Sequence, residues 1–366
     1  MTNKIISATI YAYVCIGVKY MAVTTKDIAK LAGVSQSTVS RSLNRSPLIS
    51  KKTQERVLRI AKEQNFEFNA NARSLSTNIS NSIGLIFPDD YMEFGLNLYF
   101  GALHTHIRET VEKLNYDLII GFEKNKYTDT NTIRRLVAQK KVDGLIIALP
   151  RINSESMEFL SKAKIPFIFL HFHQVQDCLS NTNQIYADHL HGGYIATKHL
   201  IDLGHRKIVC LSSKDGQEFE ERRNGYIKAL IESGIAVNEN LFLFGDRSFK
   251  SGFSSINENL KLFKKATALF CHTDIMALGA LEAFKLSNIR VPEEIAVIGY
   301  DDIELGNYFS PLLTTVHQPR EEISSLAIER LVQLIESNPR RNHKEIVVKP
   351  SLVIRESCGT KLSLPK

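Results

Sequence analysis

The stretch GVSQSTVSRSL, residues 33–43, decides the fold of the first part of this chain of 366 residues. Gly33 can supply a tight turn, because glycine enters the left-handed region at little cost. Ser35 can then cap a helix that begins at Gln36, since its hydroxyl can accept a hydrogen bond from the first turn. Only Val39 and Leu43 of that helix are apolar, so we expect one narrow buried face and one broad polar face.

Two further helices are predicted around that stretch. Thr24 or Thr25 can cap the first of them. Its apolar residues Ile28, Ala29, Leu31 and Ala32 are predicted to form one helical face. A third helix is predicted after Ser50, and its apolar residues are Val57, Leu58, Ile60 and Ala61. A helix, a short glycine-containing turn and a second helix form the helix-turn-helix pattern.

The positive charge of the chain is concentrated in the same region. The whole chain has a formal charge of +7, whereas residues 1–80 hold twelve Lys and Arg against four Asp and Glu, a net charge of +8. The rest of the chain is therefore close to neutral. A basic module attached to a neutral one is typical of a nucleic-acid-binding protein. A solvated basic face without a partner is the alternative.

The polar face of the second helix has the composition of a DNA reader. At about 100° per residue, Ser37, Arg41 and Asn44 fall on the same side. Gln36 lies in the first turn, where a recognition helix approaches the base edges. Glutamine can pair with adenine and arginine with guanine in the major groove. Thr38 and the helix N-terminus suit phosphate, and a polar surface helix is the alternative.

Residues 23–77 resemble the headpiece of the lactose/galactose repressor (LacI/GalR) family nearly position for position, from TTKDIAKLAG at 24–33 to NANARSLS at 69–76. The resemblance implies a transcriptional regulator in which Gln36, Ser37 and Arg41 read bases. The predicted DNA-binding residues of this headpiece are Thr24, Ser35, Gln36, Ser37, Thr38, Arg41 and Asn44.

The same resemblance implies a hinge helix at residues 69–76. Such a short helix is poorly stable in isolation, so we expect it to fold only on DNA and beside a partner hinge. Leu75 resembles the family's apolar wedge, which enters the minor groove and unstacks a central base step. Asn69 and Arg73 would contact the DNA backbone close to it.

The remainder of the chain reads as an α/β structure. Seven short apolar runs alternate with longer amphipathic segments, and they include SIGLIFP at 82–88, VDGLIIALP at 142–150 and IAVIGYDD at 295–302. This alternation predicts βαβ units and doubly wound parallel sheets. So many strands favour two lobes over one. No glycine-rich phosphate loop follows the first strand, so no nucleotide cofactor is expected.

The motifs GHRKIVCL, CHTDIMALGALEAFK and VPEEIAVIGYDD resemble the periplasmic-binding-protein-like sensor of the same repressors. The resemblance implies a helix-turn-helix domain at 22–68, a hinge and linker at 69–80 and a sensor at 81–366. Lobe 1 would comprise about 81–185 and 313–343, and lobe 2 about 186–312 and 344–366. A small effector would bind between the lobes, at the carboxyl ends of the strands.

The resemblance also implies a set of effector contacts. Asp301 matches an acidic residue that accepts hydrogen bonds from the ligand, and Arg222 matches an arginine that donates to it. The predicted ligand-binding residues are Tyr99, Phe100, His171, Phe172, Arg222, Arg247, Thr273 and Asp301. The alternatives are a loop cap for Asp301, a surface ion pair for Arg222 and ordinary core positions for Tyr99 and Phe100.

Two positions depart from the family's pattern. Arg247 stands where an aromatic residue is frequent, and His189 stands where asparagine is common. The additional positive charge indicates either an acidic or phosphorylated effector or an arginine that points outward. We expect the effector to be a sugar or a sugar derivative.

Other classes of function have little support in the sequence. His171 and His173 could resemble a metal pair, but no third ligand is near them in the sequence, so no metal site is predicted. No G-x-S-x-G motif or other catalytic constellation indicates an enzyme, and no cofactor is expected. Five scattered cysteines indicate a reducing cytoplasm rather than a disulfide framework. We expect a homodimer on a near-palindromic double-stranded operator.

The first twenty residues form a separate question. Their apolar run is too short to span a membrane comfortably, and no membrane association is expected. Met21 stands directly before the first predicted helix, so we expect residues 1–21 to be a non-native or disordered extension. An exported solute-binding protein with residues 1–20 as its signal is the alternative, and the helix-turn-helix pattern argues against it.

Overall fold

The computed structural model describes residues 23–44, 46–66, 79–89, 94–174, 182–337 and 343–360. The chain divides into two compact units, Met1–Ser80 and Asn81–Lys366. The predicted N-terminal extension and the predicted hinge residues Asn69, Arg73 and Leu75 lie outside the described residues. Within the described ranges, no helix combines the length and the apolar character that crossing a membrane requires.

The first unit is a helix-turn-helix headpiece. Its helices are α1 (Thr25–Ala32), α2 (Gln36–Leu43) and α3 (Lys51–Glu63). A capping box of Thr24 and Asp27 begins α1, and Gly33 ends it with a φ of +63°. Ser35 caps α2 and Ser50 caps α3 through hydrogen bonds from backbone N–H groups.

The headpiece core is small and joins all three helices. Ile28, Val39 and Val57 are fully buried at its centre. Leu31 was predicted to share one apolar face of α1 with Ile28, Ala29 and Ala32, and this prediction is wrong because Leu31 is 56% exposed. Leu31 lies about 100° from the middle of the stripe formed by the buried residues of α1, so it points away from α2 and α3.

The second unit contains two six-stranded sheets in its described residues. The first sheet has the order β11-β5-β4-β3-β1-β2. Its strands are β1 (Ser82–Phe87), β2 (Asp117–Phe122), β3 (Gly144–Ile147), β4 (Phe167–His171), β5 (Gln184–Ala187) and β11 (Glu345–Val348). All neighbouring pairs of this sheet are parallel.

The second sheet repeats that arrangement, with the order β12-β10-β9-β8-β6-β7. Its strands are β6 (Ile208–Ser213), β7 (Phe242–Gly245), β8 (Ala268–Cys271), β9 (Ala296–Asp301), β10 (Thr314–His317) and β12 (Ser351–Val353). Only β12 runs antiparallel, beside β10. The predicted pair of doubly wound lobes is therefore confirmed.

Helices cover both faces of each sheet. The first lobe contains α4 (Phe94–Lys113), α5 (Thr132–Ala138), α6 (Ser154–Ala163) and α12 (Arg320–Ser337). The second contains α7 (His189–Asp202), α8 (Gln217–Glu232), α9 (Phe249–Glu258), α10 (Leu260–Phe263) and α11 (Asp274–Leu286). Adjacent strand residues enter opposite cores, as Cys210 and Leu211 do, because side chains alternate along a strand.

The chain passes between the lobes three times, and the predicted lobe boundaries differ from the observed ones. Residues 313–317 were assigned to lobe 1, yet β10 pairs with β9 in the second sheet. Residues 344–348 were assigned to lobe 2, yet β11 pairs with β5 in the first sheet. The last residues of β5 were also assigned to lobe 2, yet β5 pairs with β4 in the first sheet. The chain therefore crosses to the other lobe only after each of the strands β5, β10 and β11 has ended.

Two glycines set the close packing of α7 on α8. A Cβ atom on Gly193 would lie 2.1 Å from the backbone oxygen of Arg222, and one on Gly225 would lie 2.1 Å from that of Leu190. Contacts this short with backbone exclude any side chain at either position. The glycines thereby fix where Arg222 stands.

Candidate functional site

The N-terminus of α2 carries a cluster of exposed hydroxyl groups. Ser35 Oγ lies 2.8 Å from Ser37 Oγ and 2.9 Å from Thr38 Oγ1, and it accepts a hydrogen bond from the Thr38 backbone N–H at 3.1 Å. Hydroxyls and backbone N–H groups at a helix N-terminus are suited to a phosphate oxygen.

Gln36 and Arg41 extend the same exposed face of α2. The carboxamide nitrogen of Gln36 donates a hydrogen bond to Thr25 Oγ1 at 2.7 Å. Arg41 forms no ion pair with another residue in the described part of the chain. A guanidinium on an exposed helix face is free to approach a base edge or a phosphate.

Two predicted DNA contacts have structural roles in the headpiece. Thr24 Oγ1 donates to Asp27 Oδ2 at 2.6 Å, and this hydrogen bond lowers the pKa of Asp27. Asn44 ends α2, and its backbone N–H donates to the Ser40 oxygen at 3.1 Å. Thr24 is exposed, whereas Asn44 is half-buried.

The sensor holds a cleft between its lobes that brings together all eight residues predicted as ligand contacts. The cleft contains about 540 Å³ of space not occupied by atoms, counted with its mouth. Its lining residues are Pro88, Tyr99, Phe100, Pro150, His171, Phe172, Glu218, Phe219, Arg222, Arg247, Thr273, Ile275, Asp301 and Gln318. Apolar walls with a few polar groups are typical of small-molecule sites.

Strand ends position most of the polar groups. His171 ends β4, Asp301 ends β9 and Gln318 directly follows β10. Thr273 follows β8 and caps α11 by accepting a hydrogen bond from the Met276 N–H. The carboxyl ends of parallel strands meet at one edge of a sheet, where open α/β folds bind their ligands.

Three lining residues have a backbone conformation that side chains disfavour. The φ angles are +72° for His171, +70° for Arg247 and +120° for Asp301. Positive φ in residues other than glycine costs energy and concentrates at functional sites. The fold therefore holds these three side chains in position against a local preference.

Arg222 is the central cation of the cleft and is only 2% exposed. Its Nη1 donates to the His272 backbone oxygen at 2.5 Å, and its Nη2 lies 3.3 Å from His189 Nδ1. The guanidinium carbon lies 3.7 Å from the centre of the Tyr300 ring. Asp301 Oδ1 is 3.9 Å from Nη1, which is an ionic contact rather than a short hydrogen bond. A surface ion pair, the alternative for Arg222, is therefore wrong.

A chain of hydrogen bonds crosses from the first lobe to the second. His171 Nδ1 lies 3.0 Å from the Tyr99 hydroxyl, which donates to Gln318 Oε1 at 3.1 Å. Gln318 Nε2 in turn donates to Asp301 Oδ1 at 2.7 Å. Because the Tyr99 hydroxyl donates its only proton to Gln318, it accepts the hydrogen bond from His171, which therefore carries a proton on Nδ1.

Burial dominates the protonation of the cleft. It lowers the pKa of His171 to about 3, with Arg222 and Arg320 adding to the effect, so His171 is neutral. Burial raises the pKa of Asp301, which Arg222 opposes, and it also raises that of Asp274. It raises the pKa of Glu218 as well. Burial thus disfavours the charged form of each of these carboxyl groups.

Sequence reasoning missed several residues of this site. Gln318, Glu218 and Phe219 line the cleft, and the His272 ring stacks on Phe219 at 6.4 Å between ring centres. Gln318 could have been found, because it stands at a strand end as Asp301 does. His189 was noticed only as a departure from the family pattern.

His171 and His173 do not share a ligand. His171 bonds to Tyr99, whereas His173 Nδ1 lies 2.9 Å from Glu221 Oε1 on α8. β4 ends at His171, so His173 lies beyond the strand. The described residues contain no group of three or more side chains suited to hold a metal ion.

Comparison with known proteins agrees with both units. The profile of the bacterial regulatory proteins of the lacI family matches residues 24–69, and that of a periplasmic binding protein-like domain matches residues 197–358. The chain is 35% identical over 338 residues to the HTH-type transcriptional repressor PurR of Photobacterium profundum, and the match spans 91% of this chain and 98% of that protein.

Two solved structures extend the likeness to the fold. The lac repressor dimer bound to operator and the anti-inducer ONPF is 28% identical, with a TM-score of 0.75 over 92% of this chain and 99% of that chain. The complex of the transcriptional regulator CelR with cellobiose is 26% identical, with a TM-score of 0.67 over 92% and 99%. This protein is therefore a DNA-binding transcriptional repressor controlled by a small-molecule effector, and it belongs to the lacI family of bacterial regulatory proteins.

Proposed function

We propose that the effector is a small carbohydrate or carbohydrate derivative bound between the two lobes. The observation that carries this proposal is the buried Arg222–Asp301 pair in a cleft with aromatic walls. Each sugar hydroxyl donates one hydrogen bond and accepts others. A guanidinium beside a carboxylate therefore suits two neighbouring hydroxyls of one sugar ring.

The other polar groups of the cleft support the same class of effector. Thr273 and Gln318 add donors and acceptors near Asp301, and Phe172 and Phe219 supply apolar surface. The cellobiose complex of a related regulator also supports a carbohydrate. Arg247 also lines the cleft and adds a positive charge, so sugar acids and sugar phosphates belong among the expected effectors.

A planar nitrogen heterocycle such as a nucleobase is the second candidate. Four aromatic residues, Tyr99, Phe100, Phe172 and Phe219, line the cleft. Aromatic side chains favour stacked or edge-to-face contacts with a planar ring. Asp301 would then accept a hydrogen bond from a ring N–H, and Arg222 would donate to a carbonyl oxygen.

For DNA, we propose a cytoplasmic homodimer on a near-palindromic operator. The exposure of Gln36, Ser37 and Arg41 on one face of α2 supports base reading by these residues. The cluster of Ser35 and Thr38 hydroxyls suits a phosphate. In this proposal the hinge residues Asn69, Arg73 and Leu75 of both protomers meet the centre of the operator, with Leu75 in the minor groove. The likeness to a lac repressor dimer on its operator supports the arrangement.

A thermal-shift screen tests the effector proposal. The panel contains neutral sugars, sugar acids, sugar phosphates and nucleobases. A ligand at a hundred times its Kd stabilises the folded state by about 2.7 kcal/mol, which such a screen detects. Each hit is then titrated calorimetrically into the wild type, Asp301→Ala and Asp202→Ala, the last being an exposed carboxylate on α7 that pairs with Lys198.

The outcomes distinguish the two candidate effector classes and also test whether the effector binds in the cleft. We expect a sugar or sugar derivative to bind the wild type and Asp202→Ala and to lose its affinity for Asp301→Ala. A nucleobase as the sole hit would favour the second candidate. A sugar that binds Asp301→Ala as tightly as the wild type would contradict the assignment of the cleft.

A further inference from the structure

We infer that Thr25 orients Gln36 for base reading, which makes the first residue of α1 a specificity-determining residue of DNA recognition. The inference rests on the proposed role of Gln36 as a base reader. Its basis is the 2.7 Å hydrogen bond from Gln36 Nε2 to Thr25 Oγ1, which links positions eleven residues apart. Thr25 thus acts through Gln36 as a positioning residue.

Both residues of this hydrogen bond lie at the capped N-termini of helices. Thr25 follows the capping box of Thr24 and Asp27, and Gln36 follows the capping residue Ser35. The helices that they begin pack through Ile28 and Val39, which are fully buried. The distance between the backbones of Thr25 and Gln36 is therefore set by the headpiece core.

The acceptor is also stiffer than most side-chain hydroxyls. Threonine is branched at Cβ, which restricts its first side-chain torsion, and the Thr25 side chain is half-buried. Glutamine is longer, and rotation about its last torsion exchanges its oxygen and nitrogen ends. The bond to Thr25 holds the nitrogen end against α1 and thereby selects one orientation of the carboxamide.

This orientation leaves a defined pair of groups for DNA. The Gln36 Oε1 atom and the second N–H of Nε2 stay available, and together they match the N6 donor and N7 acceptor of adenine in the major groove. Holding the side chain before binding reduces the entropy lost on contact. Ser37 differs from Gln36, because its hydroxyl lies 2.8 Å from Ser35 Oγ at the start of its own helix.

Selection from a pool of random duplex DNA with the full-length protein tests the inference, and it works without a defined operator sequence. The proteins compared are the wild type, Gln36→Ala, Thr25→Val, Thr25→Ser and the double variant Gln36→Ala/Thr25→Val. Valine keeps the shape of threonine without the acceptor, and serine restores the acceptor. Thermal unfolding checks that each variant folds, and Thr25→Ala provides a second variant without the hydroxyl.

We expect the wild type to select adenine at one position of each half-site and Gln36→Ala to lose that preference. Thr25→Val and Thr25→Ala should weaken the preference at the same position by about tenfold, whereas Thr25→Ser should keep it. In the Gln36→Ala background, Thr25→Val should change nothing further. The last comparison separates orientation of Gln36 from an independent contact of Thr25.

Three results would overturn the inference. Wild-type base frequencies for Thr25→Val, together with a lost preference for Gln36→Ala, would remove Thr25 alone from base recognition. Unchanged frequencies for Gln36→Ala would refute base reading by Gln36, and the role of Thr25 would fall with it. A preference relaxed at a different position by Thr25→Val would also contradict orientation of Gln36.

Discussion

The exposed face of α2 and the buried cleft of the sensor carry recognition groups in opposite states. Gln36 and Arg41 stand in solvent, and Gln36 has one hydrogen bond through its side chain. Arg222 and Asp301 lie in a network of buried partners, and Arg222 is only 2% exposed. In the proposed DNA complex the exposed face of α2 gains most of its partners on binding, whereas the fold has already assembled the cleft.

This difference predicts different penalties for losing a side chain. A buried charge that loses its partner remains uncompensated in a region of low dielectric constant. An exposed side chain is solvated when it is not bound, so its removal changes the binding free energy and leaves the free protein almost unaffected.

The largest effect is expected for Asp301→Ala. The substitution removes the carboxylate beside buried Arg222 and the acceptor of the Gln318 amide. The effector would lose a charged acceptor, and a hydrogen bond to a charged group contributes about 1.5–3 kcal/mol, so effector affinity should fall about 10- to 150-fold. Calorimetric titration measures this loss, and Asp202→Ala is the matched control. An unchanged affinity for Asp301→Ala would show that the cleft does not hold the effector.

The second effect is expected for Arg41→Ala on DNA. Loss of a base contact should cost about 1–3 kcal/mol on the best sequence and relax the preference at one base pair. Fluorescence anisotropy with the selected duplex and a scrambled duplex measures both affinities. Arg59→Ala removes the same charge from an exposed position on α3. That control should retain the base preference, and equal losses on both duplexes for Arg41→Ala would contradict base reading.

The third effect concerns the small core that supports the DNA face. Val39 is fully buried between the headpiece helices, so Val39→Ala should destabilise the headpiece by about 1–2 kcal/mol. Hydrogen exchange should show loss of protection in α1, α2 and α3, with the sensor unchanged. Equal loss of protection in both units would contradict an effect confined to the headpiece core.

The smallest effect is a pH dependence that arises between the lobes. His173 of the first lobe pairs with Glu221 of the second, and this hydrogen bond raises the pKa of His173. Glu345 adds to the rise, and Tyr186 stacks on the same ring. A raised histidine pKa stabilises the folded state below the ordinary value of 6.5, and the contribution is lost as pH rises through the raised value.

Urea unfolding of the wild type and Glu221→Gln between about pH 6 and pH 9 measures this contribution. The wild type should lose stability relative to Glu221→Gln as the pH rises. His173 is partly exposed, so the difference should be small. Parallel stability curves for the two proteins would show that the pair contributes nothing.

Local sequence encodes the ends and faces of the headpiece helices, whereas it does not encode the contacts that build the cleft. The polar face of α2 follows from the helical period of eight consecutive residues, Ser35 marks its start, and Gly33 marks the end of α1. Leu31 was misplaced, because a stripe of four apolar residues is wider than the narrow face that α1 buries.

The cleft depends on contacts that no local pattern encodes. Tyr99 and Gln318 are 219 residues apart, and they come into contact because the segment between β10 and α12 lies at the cleft. Family resemblance located eight lining residues, yet it did not indicate Gln318 or Glu218. The lobe boundaries differ for the same reason, since the five strands outside the seven apolar runs have only three or four residues each.

Occupancy of the buried cleft should change the affinity of the exposed headpiece face for DNA. The most direct test titrates the selected duplex with wild type and Asp301→Ala, each with and without the effector found in the screen. A coupling of about 1–3 kcal/mol predicts a change in wild-type DNA affinity of about 5- to 150-fold and no change for Asp301→Ala. An effector that binds the wild type and leaves its DNA affinity unchanged would contradict the claim.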